Sequence, residues 1–145
     1  KMRKKRVFLG GTCNGSQWRD KMEQYLAGDG LDYFNPVGDD WDDKSQANEL
    51  RERDECDFCL YVITPRMTGV YAIAEVVDDS NKRPKKTVLV MLRSDGDEYF
   101  GDGQWKSLCA VADMVERNGG SVFEDLQDAS ICMKAFAALE VRHHG

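Results

Sequence analysis

At 145 residues, 41% of them hydrophobic, the chain is long enough to close one core and too short for two ordinary domains, so a single domain over residues 1–145 is expected. No apolar run approaches the roughly 20 residues of a membrane span. A net charge of −6 with no offsetting basic stripe argues against a dedicated nucleic-acid binder, and five cysteines without a framework spacing suit reduced thiols and a cytoplasmic location.

Residues 1–5 read as a flexible basic leader, followed by "RVFLG" (6–10), a buried strand. The turn-rich "GTCNGS" leads to a helix over 17–27, with Ser16 as its N-cap. A second strand, "LDYFN" (31–35), ends at Pro36, and the acidic loop "VGDDWDD" precedes a polar helix over 45–55. The third strand is "DFCLYVI" (57–63), closed by Thr64-Pro65, in which Cys59 reads as a core thiol rather than half of a zinc pair with Cys56. A third helix starts after Gly69, near Val70, and "KKTVLVML" (85–92) has the unbroken apolar run of a central parallel strand. "RSDGDEYFGDGQ" (93–104) reads as a surface loop over the active edge, followed by a helix over 105–117, a strand "SVFE" (121–124) and a helix over 126–142 that leaves His143-His144 at a frayed end.

Five strands alternating with five helices predict an α/β fold: a flavodoxin-like, doubly wound, five-stranded parallel sheet of order 2-1-3-4-5. Ligands of such sheets bind beyond the carboxyl ends of the strands, at the switch between strands 1 and 3. Two loops meet there, residues 10–16 and 64–70. In the first, the backbone N–H groups around Gly10, Gly11 and Gly15, with the Thr12 and Ser16 hydroxyls, suit an anion; a plain tight turn capped by Ser16 fits as well. In the helix after the second, Glu75, Asp78, Asp79 and Lys82 share one polar stripe opposite Ala72, Ile73, Val76 and Val77. Periodicity favours a solvent-facing stripe and leaves open where its first two turns point, since beyond the end of strand 3 a helix face can border the cleft instead of bulk water. Glu49, in "ANELRERDECD", reads on its own as one charge of a solvated face; in the cleft with Glu75 it would form a carboxylate pair able to divide attack from proton handling.

Taken together, "RVFLGGTCNGSQWRD", "YFNPVGDDW", "NELRERDECDFCLYVI" and "TGVYAIAE" resemble the nucleoside 2-deoxyribosyltransferase-like family, related to the deoxynucleoside 5'-monophosphate N-glycosidases, over about residues 6–92. The specificity lies in the order and spacing of the pieces. The resemblance implies cleavage or transfer of the N-glycosidic bond of a (deoxy)nucleoside or its 5'-monophosphate. It places the nucleophile at Glu75, after the loop bearing Gly69, and the second catalytic acid at Glu49. It assigns sugar or 5'-phosphate binding to the strand 1 loop, with Gly10, Gly11, Thr12, Asn14, Gly15 and Ser16. It also implies a homo-oligomer with a small-molecule nucleoside or nucleotide as ligand, no nucleic-acid or membrane partner, and no metal or organic cofactor.

The departures are specific. Phe8 stands where well-studied branches carry a tyrosine, Glu49 where they carry aspartate, and Val76-Val77 where Leu-Gly often follows the nucleophile. Arg66, Met67 and Thr68 supply no equivalent of the aspartate that the transferases use for the base. Trp41 is a candidate stacking partner for the base and equally a lid over the core. A non-catalytic nucleotide- or flavin-binding module on the same fold is the alternative, since "TCNGS" resembles a flavodoxin phosphate loop. Against flavin, no pair of aromatics flanks a ring site; against a receiver domain, strand 3 ends in Thr64-Pro65 without a phosphoacceptor aspartate.

Overall fold

The computed structural model describes residues 3–13, 15–38 and 42–144, the last four by backbone alone. Strands and helices follow one another as β1 (Arg6–Gly11), α1 (Trp18–Gly28), β2 (Asp32–Phe34), α2 (Asp43–Glu55), β3 (Phe58–Ile63), α3 (Tyr71–Lys82) and β4 (Thr87–Met91). After them come the short strands β5 (Ser94–Asp95) and β6 (Glu98–Tyr99), then α4 (Asp102–Arg117), β7 (Ser121–Phe123) and α5 (Leu126–His144). Five strands form one all-parallel sheet in the order β2-β1-β3-β4-β7, which is the predicted flavodoxin-like winding with β7 as its fifth strand.

The sheet is buried on both faces because its central strands β3 and β4 are apolar almost throughout and buried at every position. Period-2 alternation sends Val7, Leu9, Leu60 and Val62 to one face, where Trp18, Met22 and Leu26 of α1 and Ala129 and Met133 of α5 cover them. Phe8, Cys59, Tyr61 and Ile63 point the other way, under Val76 of α3 and Leu108, Ala112 and Val115 of α4. Cys59 is thus the core thiol expected, fully buried, its Sγ–H donating to the Arg53 carbonyl.

At the carboxyl end of β1 the backbone runs against β3 too closely for a side chain. A Cβ on Gly11 would lie 2.1 Å from the Val62 carbonyl oxygen, and its φ of 119° is a conformation that favours glycine. The loop is then fastened across the sheet: Thr12 N–H donates to Val62 O at 2.9 Å, and the Thr12 hydroxyl accepts from Thr64 N–H at 3.0 Å. The first loop of the site is thereby referenced to the second.

Two expectations change. Residues 93–104 are not a plain loop: β5 and β6 pair antiparallel, Ser94 opposite Tyr99 and Asp95 opposite Glu98, and α4 begins at Asp102 rather than 105. Gly96, at φ 64°, opens the two-residue turn of this hairpin, a glycine signal present in the sequence. Ser16 is also not the N-cap of α1. The helix starts at Trp18 with Gln17 as its cap residue, and the Ser16 hydroxyl donates to Asp95 at 2.5 Å while accepting from Trp18 N–H at 3.4 Å.

Candidate active site

A cleft of about 680 Å³ opens at the switch point, a size suited to a small-molecule ligand. Its floor is the end of β1 and the following turn, Gly10, Gly11, Thr12 and Cys13. One wall is the segment Pro36, Val37 and Gly38 with Glu49 of α2; the other is Met67, Thr68 and Gly69 with the first turns of α3. Glu75 and Glu49 both face into it, although they come from different helices. Tyr71, one turn before Glu75, lines the cleft too and is its aromatic wall among the described residues.

Of the residues expected to bind substrate, Gly10, Gly11, Thr12 and Gly69 line this cleft. Gly15 and Ser16 do not; Ser16 is instead committed to the β5–β6 hairpin. Phe8 is fully buried three residues before the strand end, its ring stacked on Phe34 at 6.1 Å and tilted against Tyr61, so strand alternation places it in the core beneath the site. Asn14 and Trp41 lie outside the described residues.

The hairpin ties the two cleft loops together. Asp95 takes the Ser16 hydrogen bond from the β1 loop, while from the β3 loop Arg66 donates to the Asp95 carbonyl at 3.2 Å and to the Asp97 carboxylate at 3.1 Å. Residues 93–104, expected as a loop over the active edge, contain a paired hairpin that braces both cleft loops, and none of them lines the cleft among the described residues.

Glu75 departs from what helical periodicity suggests. It is only 9% exposed, and Asp79, on the same stripe, is fully buried. The stripe meets Arg53 of α2, whose guanidinium reaches Glu75 at 3.7 Å, Asp78 at 3.0 Å and Asp79 at 2.9 Å. Asp79 also accepts a very short hydrogen bond from the Tyr61 hydroxyl and pairs with Arg83 at 3.1 Å. Burial pushes the Glu75 carboxyl up to about 7; Arg53 pulls it down, while Glu49 and Asp79 push it further up.

That shift has a consequence for stability. Since folded Glu75 holds its proton up to about 7 against an ordinary carboxyl value of 4.5, the folded state binds more protons between those limits, and the group's contribution to stability falls as pH rises through them. Glu75→Gln, which has no charge to bury, is expected to be more stable than the parent by on the order of 1–3 kcal/mol at pH 8. The gain should vanish at pH 4, and urea titrations that give the same difference at both pH values would contradict it.

Sequence reasoning missed Arg19, Arg53 and Tyr61. Arg19 is buried beneath the β1 loop, donating to the carbonyls of Leu9 (3.0 Å) and Thr12 (2.7 Å) and stacking on Trp18, and burial lowers its pKa from the ordinary value. Its signal was available, because Arg19 shares the i, i+3, i+7 phase of Met22 and Leu26. Arg53 likewise falls in phase with the buried Cys56.

The family described as nucleoside 2-deoxyribosyltransferase like matches residues 4–94, from just before β1 into β5, and so contains both loops, Glu49 and Glu75. This chain belongs to that family. Among curated proteins nothing matches the chain. The family match ends within the hairpin, at the start of β5, so most of the β5–β6 brace, α4, β7 and α5 of this nucleoside 2-deoxyribosyltransferase-like protein lie beyond the matched residues. Among the described residues, no helix is long and apolar enough to cross a membrane.

Proposed function

We propose that the protein cleaves or transfers the N-glycosidic bond of a (deoxy)nucleoside or its 5'-monophosphate, with Glu75 as nucleophile. Family membership supports a role in glycosyl transfer. The observation that carries the finer reading is the convergence of Glu75 and Glu49, from two helices, on one nucleotide-sized cleft at the sheet's switch point.

In this reading a Glu75 carboxylate oxygen bonds to the anomeric carbon as the bond from that carbon to the base nitrogen breaks. The electron pair leaves with the base, which takes up a proton, and a glycosyl ester remains on Glu75. Water, or the nitrogen of a second base, then attacks the same carbon, returns the electron pair to Glu75 and gives its proton to a general base. Two inversions make net retention. Glu49 is the candidate for proton handling, and the floor of the cleft, Gly10 to Thr12, faces the sugar or its 5'-phosphate. A carboxyl that titrates near 7 is ionised in half the molecules at neutral pH, enough to attack without a further activating base. The fold supports one domain working as a unit, with any homo-oligomer as part of the same proposal.

The test is incubation with a panel of nucleosides and 5'-monophosphates, with and without a free acceptor base, followed by separation of released base. Release without acceptor identifies a hydrolase; exchange only with acceptor identifies a transferase. No release across the panel, with tight nucleotide binding, would overturn the catalytic reading in favour of a binding module.

A further inference from the structure

Glu75 faces opposing demands. A nucleophile must be ionised, and its lone pair must face the sugar; a carboxylate at 9% exposure is disfavoured by burial. A counter-charge can resolve this only if it approaches from the side away from the cleft. Arg53 does so, from α2, with 4% exposure. The recess it shares with Glu75, Glu49 and Tyr71 holds about 10 Å³, leaving no room for a ligand between them.

The rest of the guanidinium is committed elsewhere. Nε donates to Asp79 at 3.3 Å, and Nη2 donates to Asp79 at 2.9 Å and to Asp78 at 3.0 Å, so one edge of the fork is clamped. Asp79 is itself held by the Tyr61 hydroxyl from β3 and by Arg83. Because the guanidinium is planar and rigid, fixing Nε and Nη2 fixes where Nη1 lies, and Nη1 is the atom 3.7 Å from Glu75. At that distance it exerts charge without taking a hydrogen bond, leaving the carboxylate lone pairs to the cleft.

We propose that Arg53 is a positioning residue: clamped by Asp79 and Tyr61, it holds Glu75 as a carboxylate aimed into the cleft. This rests on Glu75 being the nucleophile. Among the described residues, the other charged or titratable groups around Glu75 are Glu49 on α2, Asp78, Asp79 and Tyr71 on its own helix, Tyr61 on β3, and Arg19 and Cys13 across the cleft. Arg53 supplies the nearest positive charge.

The experiment titrates the Glu75 side-chain carboxyl by ¹³C NMR, its resonance assigned by loss in Glu75→Gln, in the parent, Arg53→Gln and Arg53→Lys. The midpoint is expected to rise by about one unit in Arg53→Gln, which would lower kcat at pH 7 roughly five-fold with little change in KM. Lysine, a single point charge that cannot both grip Asp79 and reach Glu75, should give an intermediate midpoint. If Arg53→Gln does not fold, the pair Arg53→Gln/Asp79→Asn is read against Asp79→Asn alone, which keeps the Asp79 change constant. An unmoved or lowered midpoint overturns the proposal, since a scaffold role would reduce stability without shifting this titration. Base release that persists in Glu75→Gln would instead overturn the nucleophile assignment, while the titration still decides the role of Arg53.

Discussion

Glu75→Gln is expected to lower base release at least about 10⁴-fold, the scale seen when a covalent nucleophile is removed, while leaving nucleotide binding nearly unchanged. The amide has almost the shape of the carboxyl, so the cleft keeps its outline and its other walls. What it lacks is a lone pair able to form a stable ester with the anomeric carbon. The same substitution relieves Arg53 of one partner, but Asp78 and Asp79 still hold the guanidinium, so collapse of the site is not the cause of the loss. Two measurements separate chemistry from folding: binding of the 5'-monophosphate by calorimetry, and mass spectrometry of the quenched reaction, which should show a glycosyl adduct on the Glu75 peptide of the parent only. Glu49→Gln should be milder, about 10²- to 10⁴-fold, as for a proton-transfer group. A Glu75→Gln enzyme that releases base at the parent rate would end the nucleophile assignment.

Asp79→Ala is expected to destabilise the fold by about 3–5 kcal/mol, the cost of removing one partner from a buried ion pair. Asp79 is fully buried between α3, α2 and β3, where it accepts from Arg53 through two nitrogens and from Tyr61 and forms an ion pair with Arg83. Truncation leaves the Arg53 guanidinium and the Tyr61 hydroxyl in the same low-dielectric space with fewer acceptors. A urea titration should show a lower midpoint with an unchanged slope. Asp79→Asn, which keeps an acceptor for Tyr61 but loses the charge, should fall between. A change within ±0.5 kcal/mol, the range of ordinary surface substitutions, would show that Asp79 behaves as the exposed residue its periodicity suggested.

That contrast marks the boundary between what could be read from the chain and what could not. Apolar runs such as "FCLYVI" and "TVLVM" announce buried strands because burial on both faces demands apolar side chains at every position. Alternation with helices then limits the topology to few windings, so the sheet order and the location of the cleft at residues 10–16 and 64–70 follow from local pattern. The placing of Glu75 and Glu49 in that cleft was legible once the family motifs were recognised.

Other features depended on contacts between segments distant in the chain. Ser16 is drawn from helix capping by Asp95, which no local rule foresees, and Phe8 is in the core because β1 ends three residues after it. Helical spacing determined by itself that Glu75, Asp78 and Asp79 share a face, since 3.6 residues per turn is a property of the helix alone. What that face meets was decided only by the tertiary structure: α2 brings Arg53 against it, and a stripe that would have been hydrated in an isolated helix becomes a buried charge network behind the candidate nucleophile.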